Sequence, residues 1–201
     1  MSSKDTIFYK VVKPLVIFLI RVLFRPTVVG RENIPTEGPV VLAGNHTKWL
    51  DPVTLVAITK RQVHFLAKIE LFKSWKTNWI VKGMGAIPVD RKAHDGTSLV
   101  YAKEMLDNSG CIGIFPEGTI NRTDDVIMPF KIGAVKMSSD SNATLVPFVI
   151  TGKYKLFRKG VKIEFLKPIK VEKNLDKTNQ KLMDAVSKKL IEGGKLDGKN
   201  K

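Results

Sequence analysis

Short apolar runs recur along this chain with helix-spaced segments between them, and three of the runs end in a polar cluster. "PVVLAG" (39–44), "VHFLA" (63–67), "GAIPVD" (85–90), "CIGIF" (111–115) and "TLVPFVI" (144–150) are too short for typical helices. Runs that are apolar throughout predict strands buried on both faces, because a half-exposed strand alternates apolar with polar residues. "VKIEFLKPI" (161–169) does alternate, which places it nearer an edge. Helices are predicted over 52–61, 70–83, 96–110 and 131–139, with a closing helix over 179–193 that aligns Leu182, Val186 and Leu190. Parallel strands need a crossover between them, and the intervening helices supply it. The pattern therefore predicts a single α/β domain, a largely parallel sheet flanked by helices. The expected boundaries are an N-terminal helical segment over 1–29, the domain over 30–193 and a basic disordered tail over 194–201.

Charge narrows the partners. Of 201 residues, 34 are Lys or Arg and 19 are Asp or Glu, a net charge of +15. A surplus that large calls for nucleic acid or an anionic membrane surface. No RNP-like motif, zinc-ligand pattern or Gly-Arg tract is present, so a nucleic-acid partner is not expected. The single cysteine, Cys111, excludes an internal disulfide and a Cys-rich metal site. The segment "IFYKVVKPLVIFLIRVLFRP" (7–26) is apolar but punctuated by Lys10, Lys13, Arg21 and Arg25, and its longest unbroken run is Leu15 to Ile20. Crossing a bilayer takes about 20 largely apolar residues. The mixture predicts a helix lying in the membrane interface, with core packing as the competing reading. Trp75 and Trp79 are four apart beside Lys73, Lys76 and Lys82, a second interfacial pattern that core packing would explain equally well.

The polar clusters fall after strands. "NHTKWLD" (45–51) follows the first long run, Asp90 and Arg91 follow 85–89, and "PEGT" follows 111–115. Ligands of open α/β sheets sit outside the carboxyl ends of strands. Asp51-Pro52 reads as a helix start, with Asp as N-cap and Pro as first helical residue. On a continuous helix His46 and Asp51 would point about 140° apart. A loop that turns into a helix lets His46 fold back, so that one ring nitrogen meets the Asp51 carboxylate. The other nitrogen is then free to act as a general base. No G-x-S-x-G nucleophile accompanies the pair, so the activated hydroxyl would belong to a substrate. Glu117, between Pro116 and Gly118, either accepts hydrogen bonds from a polyol or holds its own turn. Arg91, Arg122 and Lys131 are phosphate-binding candidates or solvated surface charges.

Together these stretches resemble the glycerolipid acyltransferase family, and within it the bacterial lysophosphatidate acyltransferases. "NHTKWLD" is similar to a first motif N-H-x₄-D, "GAIPVDR" to a second, "FPEGT" to a third and "LVPFVI" to a fourth, in order over about residues 30–170. The resemblance implies an acyltransferase domain with an N-terminal membrane-associated element. It implies transfer of an acyl group from acyl carrier protein or coenzyme A to lysophosphatidate, on the cytoplasmic face of the cell membrane and with no metal or other cofactor. His46 would be the base and Asp51 its orienting partner. Glu117, Gly118 and Thr119 would shape the acceptor site, and Arg91 would bind phosphate. Many relatives continue the third motif as F-P-E-G-T-R-S, whereas this chain has Ile120 and Asn121 before Arg122. That departure leaves glycerol 3-phosphate or another lysolipid open as acceptor. Thioester hydrolysis would use the same His and Asp but leave the basic residues without a purpose.

Overall fold

The computed structural model describes residues 7–83, 85–90 and 97–197. Helix α1 (Ile7–Phe24) comes first, with Pro14 inside it. Strand β1 (Thr27–Val29) and a 3-10 turn (Arg31–Asn33) lead to β2 (Val40–Gly44) and α2 (Asp51–Ile58). Strand β3 (Val63–Lys68), α3 (Ile69–Lys73), α4 (Trp75–Gly83) and β4 (Ile87–Val89) follow. Then come α5 (Thr97–Asp107), β5 (Cys111–Ile114), α6 (Gly133–Asp140), β6 (Thr144–Gly152), β7 (Val161–Phe165) and α7 (Leu175–Asp197).

Among the described residues the strands form one sheet in the order β1-β7-β6-β2-β5-β3-β4. Every neighbouring pair is parallel except β6 and β7. The predicted α/β class therefore holds. Strand β2 shows why its sequence is apolar throughout. Val40 and Leu42 face one core with Leu55, Val56 and Ile58 of α2. Val41 and Ala43 face the other, with α5, α6 and α7. Alternate residues of a strand point to opposite faces, so a strand covered on both sides needs apolar residues at every position.

Several boundaries differ from expectation. The predicted helix 70–83 is two helices, because Ser74 takes an extended backbone and its carbonyl accepts the Asn78 N–H at 2.8 Å. The apolar spacing runs on through that break and hides it. Strand β1 has three residues, too few to show a period, and it occupies the edge beside β7. The predicted strand 161–169 is regular only to Phe165 and lies one position in from that edge. Helix α7 continues to Asp197, into the segment 194–201 expected to be a disordered tail. Each glycine weakens a helix by only about 1 kcal/mol, so Gly193 and Gly194 destabilise α7 without ending it.

Helix α1 packs on α2 and leaves one side open. Ile20 is buried, whereas Leu15, Phe18, Leu19 and Val22 are exposed at helical spacing. No described helix is long and apolar enough to cross a membrane.

Candidate active site

Two central strands, β2 and β5, run parallel and adjacent, with Ala43 level with Ile114. Their carboxyl ends therefore deliver the "NHTKWLD" loop and the "FPEGT" turn side by side. Asn45 sets the start of the loop. Its side-chain amide donates to the Ile150 carbonyl at 2.9 Å, and its Oδ1 accepts the Ile150 N–H at 2.8 Å. The side chain thus pairs with β6 past the last regular residue of β2.

The helix start differs from the predicted cap. Leu50 is the capping position, so Asp51 is the first helical residue and Pro52 the second. The Asp51 carboxylate instead faces back into the loop. Its Oδ2 accepts the N–H groups of Thr47 at 2.6 Å and Lys48 at 2.7 Å. His46 Nδ1 lies 3.0 Å from the same oxygen. A carboxylate can only accept, so Nδ1 carries the hydrogen and the neutral ring keeps its lone pair on Nε2. The ring stacks on Phe115 with centroids 4.0 Å apart and planes at 19°. Phe115 in turn packs against Phe65 and Phe148 of the core. The imidazole is therefore fixed in tautomer by Asp51 and in plane by Phe115.

Glu117 is buried and turned toward the main chain. One carboxylate oxygen accepts the His46 N–H at 2.8 Å, and the other accepts the Met128 N–H at 3.0 Å. Asn121 N–H reaches the His46 carbonyl at 3.0 Å. Both backbone polar groups of His46 are thus held by the segment that follows β5. Of the two readings of Glu117, the geometry favours a carboxylate that holds the frame. Gly118 has φ of 75°, and a Cβ there would sit 3.1 Å from Lys131 Nζ. The glycine permits the turn and lets the lysine lie across it. The Lys131 N–H closes the same corner on the Pro116 carbonyl at 3.0 Å.

The other candidates spread outward. Thr119, Arg122 and Lys131 are exposed around the turn. The loop carrying Arg122 is shaped by Asn121, whose Oδ1 accepts the Thr123 N–H at 2.9 Å. Arg91 lies outside the described residues, as does the side chain of Trp79. Trp75 is 81% exposed, which removes core packing as its role.

Two residues were missed in the sequence. Trp49 stands exposed in the first loop. Tyr154, after β6, donates its hydroxyl to Asp51 Oδ1 at 2.8 Å and reaches Thr54 Oγ1 at 3.2 Å. Burial, and then the Asp51 charge, push the phenol's pKa well above its ordinary value. It stays a hydrogen-bond donor throughout the physiological range. No spacing rule links a residue 103 positions away to Asp51, and only the β2–β6 pairing brings them together.

A family model described as Acyltransferase matches residues 25–151. The chain belongs to the acyltransferase family. Among the relatives of this acyltransferase is the 1-acyl-sn-glycerol-3-phosphate acyltransferase of Bacillus subtilis. It is 36% identical over 137 residues, 66% of this chain and 67% of the relative. The enzyme of the same name from Borreliella burgdorferi is 31% identical over 67% of this chain and 54% of its own length. That of Streptococcus pneumoniae is 27% identical over 98% of this chain and 76% of its own. The crystal structure of the Thermotoga maritima 1-acyl-sn-glycerophosphate acyltransferase shares the fold, with a TM-score of 0.72 at 21% identity, covering 92% of this chain and 80% of that one.

Proposed function

We propose that this acyltransferase moves a fatty acyl group from an acyl thioester to the free hydroxyl of lysophosphatidate, forming phosphatidate. The observation that carries the reading is the His46–Asp51 contact of 3.0 Å at the carboxyl end of β2. The names of the relatives support lysophosphatidate as acceptor. His46 Nε2 takes the proton of the acceptor hydroxyl as its oxygen attacks the thioester carbonyl. Asp51 stabilises the imidazolium that forms. The tetrahedral intermediate then collapses, the carbon–sulfur bond breaks, and the departing thiolate recovers the proton from His46. The thioester, on acyl carrier protein or coenzyme A, is a co-substrate, and the scheme calls for no metal or other cofactor. Arg91, Arg122 and Lys131 are the proposed phosphate contacts, with Gly118 and Thr119 shaping the acceptor side.

The reaction is proposed to take place on the cytoplasmic face of the cell membrane, where both lipids reside. The exposed stripe of Leu15, Phe18, Leu19 and Val22 supports an α1 that lies in the interface. Exposed Trp49 and Trp75 are residues that suit a membrane interface as well. The net charge of +15 favours anionic phospholipid.

The test offers lysophosphatidate in mixed micelles with palmitoyl-carrier protein and palmitoyl-coenzyme A in separate reactions, and follows phosphatidate by mass spectrometry. Product from the native protein, lowered about 10²–10⁴-fold with His46→Ala, is the expected result, and the productive donor identifies the thioester. No phosphatidate from either donor, with folded protein, overturns the reading.

A further inference from the structure

Apart from Tyr154, the connection between β6 and β7 carries a surface that the proposed reaction does not use. Its sequence, "KYKLFRKG" (153–160), places Lys153, Lys155, Arg158 and Lys159 around Leu156 and Phe157, with no acidic residue. All four cations are exposed. Leu156 and Phe157 are adjacent and 61% and 60% exposed. Single exposed apolar residues are ordinary, but this pair stands at the tip of a connection closed by the Lys153 N–H on the Gly160 carbonyl at 2.8 Å. Phe157 also has φ of 57°, a left-handed backbone that a bulky side chain rarely adopts. Glycine or asparagine would fill that position without strain.

The backbone shows what holds the tip there. The Phe157 N–H donates to the carbonyl of Leu23 in the last turn of α1. Helix ends leave such carbonyls unsatisfied, so the connection caps α1. Tyr154 packs edge-on against Phe24 of α1, centroids 5.4 Å apart. The tip and α1 are therefore one body.

We propose that residues 153–159 form a second contact with an anionic lipid bilayer, in which Leu156 and Phe157 enter the interface and the four cations meet lipid phosphates. Continuity with α1 favours a bilayer over an acidic protein, and the charge favours anionic over zwitterionic lipid. This rests on the reading that α1 lies at a membrane surface. Cys111 is buried, so a cysteine introduced by Phe157→Cys can be labelled selectively with an environment-sensitive dye. Asp140→Cys, at the end of α6, serves as the distant control. With vesicles containing phosphatidylglycerol, the label at 157 should shift to the blue and brighten, and the label at 140 should not. Phosphatidylcholine vesicles should leave both unchanged. The Leu156→Ser, Phe157→Ser double variant should bind anionic vesicles about tenfold more weakly. An unshifted label at 157, with native protein still co-sedimenting with the vesicles, overturns the second contact and spares α1. Native protein that does not co-sediment overturns both. A shift produced by carrier protein but not by vesicles assigns the tip to a protein partner and also overturns the proposal.

Oδ2 of Asp51 meets His46, Thr47 and Lys48, whereas Oδ1 is held by the Tyr154 hydroxyl at 2.8 Å and more distantly by Thr47 Oγ1 at 3.3 Å. The geometry points to Tyr154 as a positioning residue that fixes the carboxylate plane against the imidazole. Tyr154→Phe keeps the ring and removes only the hydrogen bond. The expected result is a kcat about tenfold lower with KM unchanged. The acidic limb of the kcat/KM profile should move to higher pH, because a carboxylate with one donor fewer favours the imidazolium more. A lower melting temperature with kcat and the pH profile unchanged would make Tyr154 merely structural and overturn the assignment.

Discussion

The loop after β2 and the turn after β5 each bury one carboxylate, and the two are used differently. Asp51 is 0% exposed and Glu117 4%, so burial does not separate them. Their partners do. Asp51 takes two backbone N–H groups from its own loop, then a phenol and the ring of His46. Glu117 takes one backbone N–H from the loop after β2 and one from residue 128. A negative charge facing an imidazole stabilises a proton on that ring. A negative charge divided between two main-chain segments holds those segments at a fixed separation. The comparison teaches that a buried carboxylate near a histidine is assigned by where its lone pairs point.

His46→Ala removes the proposed base, and acyl transfer should fall by about 10²–10⁴-fold with the fold unchanged by circular dichroism. Asp51→Asn preserves shape. Its oxygen can still accept the Thr47 and Lys48 N–H groups, and its amide can donate to the Tyr154 hydroxyl. Activity should drop by up to about 10⁴-fold, while the denaturation midpoint moves little. An Asp51→Asn protein as unstable as Glu117→Gln would erase the distinction.

Glu117→Gln sharpens it from the other side. A glutamine offers one acceptor oxygen where two N–H groups wait, so the His46 or the Met128 N–H loses its partner. Unfolding free energy should fall by about 1–3 kcal/mol, together with activity. Full stability with lowered acceptor affinity would return Glu117 to acceptor binding. Gly118→Ala acts on the same turn, where φ is 75° and the new methyl would press on Lys131. A cost of about 1–2 kcal/mol is expected, with KM for lysophosphatidate rising more than kcat falls. The smallest effect is a pH dependence around Asp51. The folded protein holds the Tyr154 proton above the ordinary tyrosine value of 10.0, while the unfolded chain releases it there. Stability should fall as pH rises past about 10, and the Tyr154→Phe variant should lack that part of the loss in urea titrations.

Much of this architecture was legible in residue order. The continuous apolar character of 39–44, 111–115 and 144–150 predicted strands covered on both faces, and β2, β5 and β6 occupy adjacent positions in the sheet. The short β1 and the break at Ser74 were not legible, since three residues carry no period and a single extended residue leaves helical spacing intact. The His46–Asp51 contact was readable because both ends lie within one loop. The Pro52 signal misled by one position, making Asp51 a cap when it is the first residue of α2.

Residue order alone determined the class of fold, the placing of polar clusters beyond strand ends and the His–Asp pair, because each depends on neighbours within about a dozen positions. Tertiary structure alone decided what Glu117 holds, that Lys131 crosses Gly118 and that Tyr154 reaches Asp51. Those partners are 71, 13 and 103 residues apart in the chain. Hydrogen bonds act over about 3 Å of space regardless of chain separation, so the folded path of the chain, not spacing in the sequence, selects who meets.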